Sequence, residues 1–180
     1  MAHSQLCIDE KYLVVRSDSF VSKYADLDPE FCIGLKSADP YVFPVFDSVT
    51  KIIKGYRHLF EDQTNRVGFI MVGESYPKKT TEKILETLNS SRRVSPIQFI
   101  NANAGAAISY CCTKFLFRGP TLNISSSTES ALAIADLVAG SWLDKKHAYG
   151  VFCINTAMDE NGSCGAYSRF ICENVSTEGL

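Results

Sequence analysis

Gly119-Pro120-Thr121-Leu122-Asn123-Ile124-Ser125-Ser126-Ser127-Thr128-Glu129-Ser130-Ala131-Leu132 sets the architecture of this chain. A short β-type run, Leu122 to Ser126, passes without a linker into a long apolar helical pattern. Ser126 with Glu129 three residues on reads as a capping box, in which hydroxyl and carboxylate satisfy two backbone N–H groups that a helix start leaves unpaired. The helix is predicted to run to about Leu143, with Ala131, Ile134, Ala135, Val138 and Trp142 on one face. Lys145, Lys146 and His147 follow it, where cations suit the negative end of the helix dipole.

Outward from this turn, strands and helices alternate. Pro96 to Phe117 reads as one helix, with Ile100, Ala104, Ala107, Ile108, Cys111, Cys112 and Phe115 on one face. Its first half is small, Ala102 to Ala107, and Gly105 costs about 1 kcal/mol of helix propensity, so a close packing contact is expected there. Lys11 to Arg16 alternates as a first strand, and a polar, Pro-containing stretch follows it. From Asp47 the spacing of Val49, Ile52, Ile53, Tyr56, Leu59 and Phe60 predicts a helix to about Asp62, capped by Asp47 or Ser48. Val67 to Val72 is a nearly unbroken apolar run, as in a strand buried on both faces, and Gly73 ends it. A shorter helix carrying Ile84, Leu85 and Leu88 begins at a Thr80 or Thr81 cap and leaves through Ser90-Ser91-Arg92-Arg93. Gly150 to Thr156 and Ala166 to Cys172 are strands joined by a hairpin at Asn161-Gly162. The predicted order is βαβαβαββ.

With 180 residues and 46% apolar content, residues 1–180 form one domain. A formal net charge of −2, with no Lys/Arg run longer than two, leaves no electrostatic footprint for nucleic acid. No apolar run reaches the length of a membrane-spanning helix, and Met1 to Gln5 has no signal-peptide character, so a cytoplasmic protein away from membranes is expected. Seven scattered cysteines without a C-x-x-C pair read as reduced core thiols, not disulfides or zinc ligands. No metal and no cofactor is expected. His3, His58 and His147 fall in a terminal tail, a surface helix and a helix end, where each has a structural reading. Gly73-Glu74-Ser75 begins like a hydrolase elbow, but Pro77 stands where the closing glycine belongs.

The opening stretch resembles the β-ketoacyl synthase pattern Gly-Pro-x-x-x-(Val/Ile)-x-Thr-Ala-Cys-Ser-Ser. Gly119, Pro120 and Ile124 match; Ser126 replaces the Thr, Ser127 the Ala, and Thr128 the nucleophilic Cys. Asn101-Ala102-Asn103-Ala104-Gly105 resembles the Asn-x-Ala-Ala-Gly segment that precedes this turn in the family. The resemblance implies an α/β thiolase-like half-fold: a five-stranded mixed sheet with its last strand antiparallel and helices on both faces, like the N-terminal half of a ketosynthase. It also implies that condensation, which needs a thiolate and two histidines from the family's other half, is not this chain's chemistry.

A non-condensing auxiliary role in fatty-acid or polyketide-type synthesis follows by resemblance to chain length factors, which lack the cysteine and pair with an active ketosynthase. The implied partners are a ketosynthase subunit or a second copy of the chain, and an acyl carrier protein. In thiolase-like dimers the strand before the nucleophile pairs with its symmetry mate, which places Asn103, Gly105, Leu122, Ile124 and Ser126 at or beside the interface. Two other readings stay open: an acyl-thioester transferase or hydrolase using Ser126, Ser127 or Thr128, and a homo-oligomeric acyl-binding scaffold.

Overall fold

The computed structural model describes residues 5–9, 11–63, 66–74, 77–91, 93–126, 129–158 and 163–174. Five expected strands are present: β2 (Tyr12–Ser19), β3 (Val67–Gly73), β4 (Thr121–Ile124), β5 (Gly150–Met158) and β6 (Cys164–Glu173). A sixth, β1 (Gln5–Asp9), was not expected; it joins the sheet by pairing antiparallel with β2, Cys7 opposite Leu13. The spatial order is β1-β2-β6-β5-β3-β4. β3 pairs parallel with β4 and β5, whereas β6 lies antiparallel between β5 and β2. The last strand therefore opposes β2, β3, β4 and β5, as the thiolase-like reading requires. The β5–β6 pairing extends to Met158 opposite Cys164. The Asn161-Gly162 turn that would close it lies outside the described residues.

The helices depart from the sequence reading in instructive ways. The first, α1 (Val42–Gly55), starts five residues before Asp47. Pro44 sits in its first turn, where a missing N–H costs nothing. Asp47 and Ser48 are consequently buried mid-helix and cap nothing: Asp47 accepts from the Ser19 hydroxyl at 2.7 Å, and Ser48 and Ser168 hydroxyls meet at 2.6 Å. These pairs tie α1 to β2 and β6. The second, α2 (Lys78–Ser91), is capped from a distance, because buried Asp39 accepts from the Thr80 backbone N–H at 2.8 Å and from that of Tyr41 at 3.1 Å. One carboxylate thus organises the starts of two helices. The expected Pro96–Phe117 helix is broken into α3 (Pro96–Asn101) and α4 (Ala106–Phe115).

The sheet is covered unequally. On one face, α1 and α4 pack over an aromatic stack in which Phe60, Phe152 and Phe170 lie with ring centroids 4.7–5.8 Å apart. On the other face, α5 (Glu129–Asp144) sets Ala131, Ala135, Ala139 and Leu143 against Ile70, Val72, Val151 and Cys153. Small residues let this helix sit close to the sheet. Among the described residues, no helix is long and apolar enough to cross a membrane.

Candidate functional site

Gly119 is a glycine because there is no room for anything else. A Cβ at this position would stand 2.5 Å from the carbonyl carbon and oxygen of Val67. The Gly119 N–H donates to the Val67 carbonyl at 3.0 Å, and the Phe69 N–H donates to the Pro120 carbonyl at 2.9 Å. The Gly-Pro pair thereby docks the incoming chain against a strand buried on both faces and starts β4 in register, Leu122 opposite Ile70 and Ile124 opposite Val72.

Among the described residues, β4 is the sheet's last strand and has a neighbour on one side alone. Because backbone groups alternate sides along a strand and Pro120 faces β3, Leu122 and Ile124 also bond toward β3, while Thr121 and Asn123 turn N–H and C=O outward. Leu122 and Ile124 are half-buried against α5's layer. Ser126 is half-buried just past the strand, its N–H donating to the Ile124 carbonyl at 2.9 Å. Ser127 and Thr128, the degenerate nucleophile position, lie outside the described residues.

Asn103 and Gly105 do not lie inside a small-residue helix; they form the turn between α3 and α4. The Asn103 side-chain carbonyl accepts from the Gly105 N–H at 2.7 Å, an Asx turn that interrupts the helix. The nearest atom to a Cβ at Gly105 would be that same Asn103 oxygen, at 3.2 Å, so the glycine marks the turn and not a helix–helix contact. The close contact falls one step later, where Ala106 and Ala107 are buried in the α1 layer. Tyr41 pins the turn: its hydroxyl donates to the Ala104 carbonyl at 2.7 Å and accepts from the Ala107 N–H at 3.2 Å. Asn101 is buried, donating to the Ser37 carbonyl and accepting from the Tyr110 hydroxyl, both at 2.9 Å.

Four of the thiols are unsuited to nucleophilic work. Burial pushes the Cys112 thiol up to about 11 and Cys153 and Cys172 up to about 12, and it raises fully enclosed Cys111 well above its ordinary value. These four pack in or against the two core layers, as the packing reading expects. His58 and His147 are exposed at a one-turn helix and beyond the end of α5. Among the described residues, no three His, Cys, Asp or Glu side chains are grouped to hold a metal ion.

What sequence periodicity missed is the outward side of α5. Ile134 is 49% and Leu137 is 75% exposed, beside Ala133 and Gly140, so this helix carries an apolar patch on the side away from the sheet as well. Asp136, Ser141 and Asp144 share this outward surface, so the apolar residues form a patch on it and not a whole face. Ile97, Phe99 and Ile100 on α3 are also exposed. The signal was in the sequence, since at 3.6 residues per turn Leu137 lies about 160° around the helix from Ala135 and Ala139, the residues that face the sheet.

No family model and no curated protein matches this chain. Solved structures do. A type II PKS acyl-carrier protein in complex with its ketosynthase matches with TM-score 0.68 at 15% identity, covering 83% of this chain and 51% of that one. A β-ketoacyl synthase from Burkholderia phymatum matches with TM-score 0.62 at 9% identity, covering 86% and 46%. The ketosynthase ApeO in complex with its chain length factor ApeC, from Xenorhabdus doucetiae, matches with TM-score 0.60 at 7% identity, covering 97% of this chain and 80% of that one. The fold is thus the thiolase-like fold of ketosynthases. The chain spans about half the length of the first two.

Proposed function

We propose that this protein is a non-condensing, ketosynthase-like auxiliary subunit of fatty-acid or polyketide-type synthesis, acting by pairing with a ketosynthase or with a second copy of itself. The observation that carries the proposal is α5, a helix whose outward side exposes an apolar patch of Ile134 and Leu137 with Ala133 and Gly140, rimmed by Asp136, Ser141 and Asp144. Such a patch is stable when a further layer covers it. The open edge of β4 supports the same reading, because unpaired strand edges template pairing with another chain. The match to a chain of the ApeO–ApeC pair over 80% of its length, against 46–51% for the others, gives a precedent for a chain of about this span within a partnered assembly.

Thr128 in place of a cysteine supports the non-condensing assignment, since an alkoxide is far harder to form near neutral pH than a thiolate. The pairing surface in this proposal includes Leu122, Ile124, Ser126 and the Asn103–Gly105 turn, with an acyl carrier protein as a further partner of the assembly.

Two measurements test it. Sedimentation velocity at micromolar concentration, alone and after co-expression with ketosynthases of the same genome, is expected to show a dimer or a hetero-complex; a stable monomer in every case refutes pairing. Purified protein incubated with acyl carrier and malonyl thioester is expected to yield no condensation product, and detection of one refutes the non-condensing role.

A further inference from the structure

The half of the sheet that α5 leaves uncovered forms one wall of a cavity of about 780 Å³. The size is within the range of about 300–1,000 Å³ typical of small-molecule sites. Its apolar side is made by Val72 and Cys153 from the sheet and Leu132 and Ala135 from α5. Its polar side is unusual. Arg16 on β2 and Arg169 on β6 are register partners, directly opposite across an antiparallel pair. Both follow the side-chain parity of Val14 and Ile171, so both project on the α5 face.

Like charges opposite each other in a sheet are destabilising unless something neutralises them. Asp136 of α5 answers Arg169, with 2.6 Å and 3.5 Å contacts to its two terminal nitrogens. Arg16 has no ion pair or hydrogen bond among the described residues. Lys51 is paired with Asp47 at 2.8 Å and donates to the Asp18 carbonyl at 3.1 Å, while the Asp18 side chain, two residues from Arg16 on the same strand face, is in no salt bridge among the described residues and adds a second carboxylate to the cavity rim. Seating an apolar helix here would strip water from two guanidinium groups and two carboxylates, of which only Arg169 and Asp136 are paired, and this disfavours a dry protein layer over this part of the sheet.

We propose that this groove is a binding site for a carboxylate carrying an alkyl chain, whose planar head bridges Arg16 and Arg169 while its chain lies along Val72, Cys153, Leu132 and Ala135. A carboxylate matches the guanidinium fork in shape and charge, and it supplies to Arg16 the counter-charge that Asp136 supplies to Arg169. The apolar strip next to the head then confers chain-length preference. This inference stands on the groove itself and is independent of whether the protein pairs with a ketosynthase.

Titration calorimetry of the purified chain with decanoate below its micellar concentration tests it, with hexanoate, decyl phosphate, 1-decanol and decyltrimethylammonium as comparisons. One saturable decanoate site is expected, with affinity falling about two- to fourfold for each methylene removed toward hexanoate. Arg16→Gln is expected to weaken decanoate at least about tenfold and Arg16→Lys less, with the melting temperature of the unliganded chain unchanged or slightly raised in Arg16→Gln, because exposed Arg16 has no side-chain partner to lose and stands opposite Arg169. Absence of saturable binding, equal binding of decanol or the ammonium, unchanged affinity in Arg16→Gln, or binding of decyl phosphate without decanoate would each overturn the assignment.

Discussion

Replacing Gly119 by alanine probes the joint on which the architecture turns. The added Cβ would lie 2.5 Å from the Val67 carbonyl group and 2.7 Å from the Gly68 nitrogen, all backbone atoms of a strand buried on both faces. Relief requires the Gly119-Pro120 segment to retreat by roughly 1 Å, since these neighbours cannot rotate away. That movement strains the two hydrogen bonds that start β4, from Gly119 N–H to Val67 and from Phe69 N–H to Pro120, each worth about 1 kcal/mol. Overpacking adds about 1–3 kcal/mol. Alanine returns about 0.4–1 kcal/mol by restricting the unfolded chain. The net expectation is a destabilisation of about 2–4 kcal/mol, or a drop in melting temperature of about 5–15 °C for a chain of this size. Urea unfolding followed by circular dichroism gives the free energy, with an unchanged m-value showing that the fold is intact. Gly140→Ala is the internal control: it sits in α5 with nothing within 4 Å of the added atom, and a neutral or stabilising change of up to about 1 kcal/mol is expected. A loss below about 0.5 kcal/mol for Gly119→Ala would refute the close-approach account of the Gly-Pro motif.

Asn123→Pro removes an outward N–H from β4 and is expected to shift a dimer or hetero-complex toward monomer in sedimentation velocity while the chain stays folded, whereas Ile124→Pro, whose N–H faces β3, is expected to lower the melting temperature; if both variants assemble like the parent, the edge is not the interface. Asp39→Ala should cost about 1–2 kcal/mol and speed hydrogen exchange in the first turns of both α1 and α2, because one buried carboxylate accepts from Tyr41 and Thr80; exchange confined to one helix would contradict the shared cap. Cys111, Cys153 and Cys172 are expected to resist a disulfide reagent at pH 8 until denaturant is added. Their raised folded values also make the sign of a pH effect definite: the neutral thiols leave stability intact below the ordinary 9.0, and stability should fall as pH rises from there toward about 12, while rapid native-state labelling would refute their burial.

Residue pattern alone determined five of the six strands, the alternation of strands and helices between them and the antiparallel return of the last strand, but neither β1 nor the break between α3 and α4. Val67 to Val72 is apolar throughout because it is buried on both faces, and the 3.6-residue spacing after Glu129 survives in α5 as Ala131, Ala135 and Ala139. These features depend on neighbours in the chain, so periodicity reports them. The helix starts were misplaced for the complementary reason: Pro44 and Asp39 mark the beginnings of α1 and α2, but Asp39 reaches Thr80 across 41 residues, which no local pattern records. The same holds for the site. Thr128 could be read as a substituted nucleophile from its motif, and β4 as a strand, yet the insertion of β6 between β2 and β5 was decided by long-range pairing. That insertion sets Arg16 opposite Arg169 and leaves β4 at an open edge. Strand order and cross-strand register are settled by which faces can bury together, and this energy exists only once the whole sheet has formed.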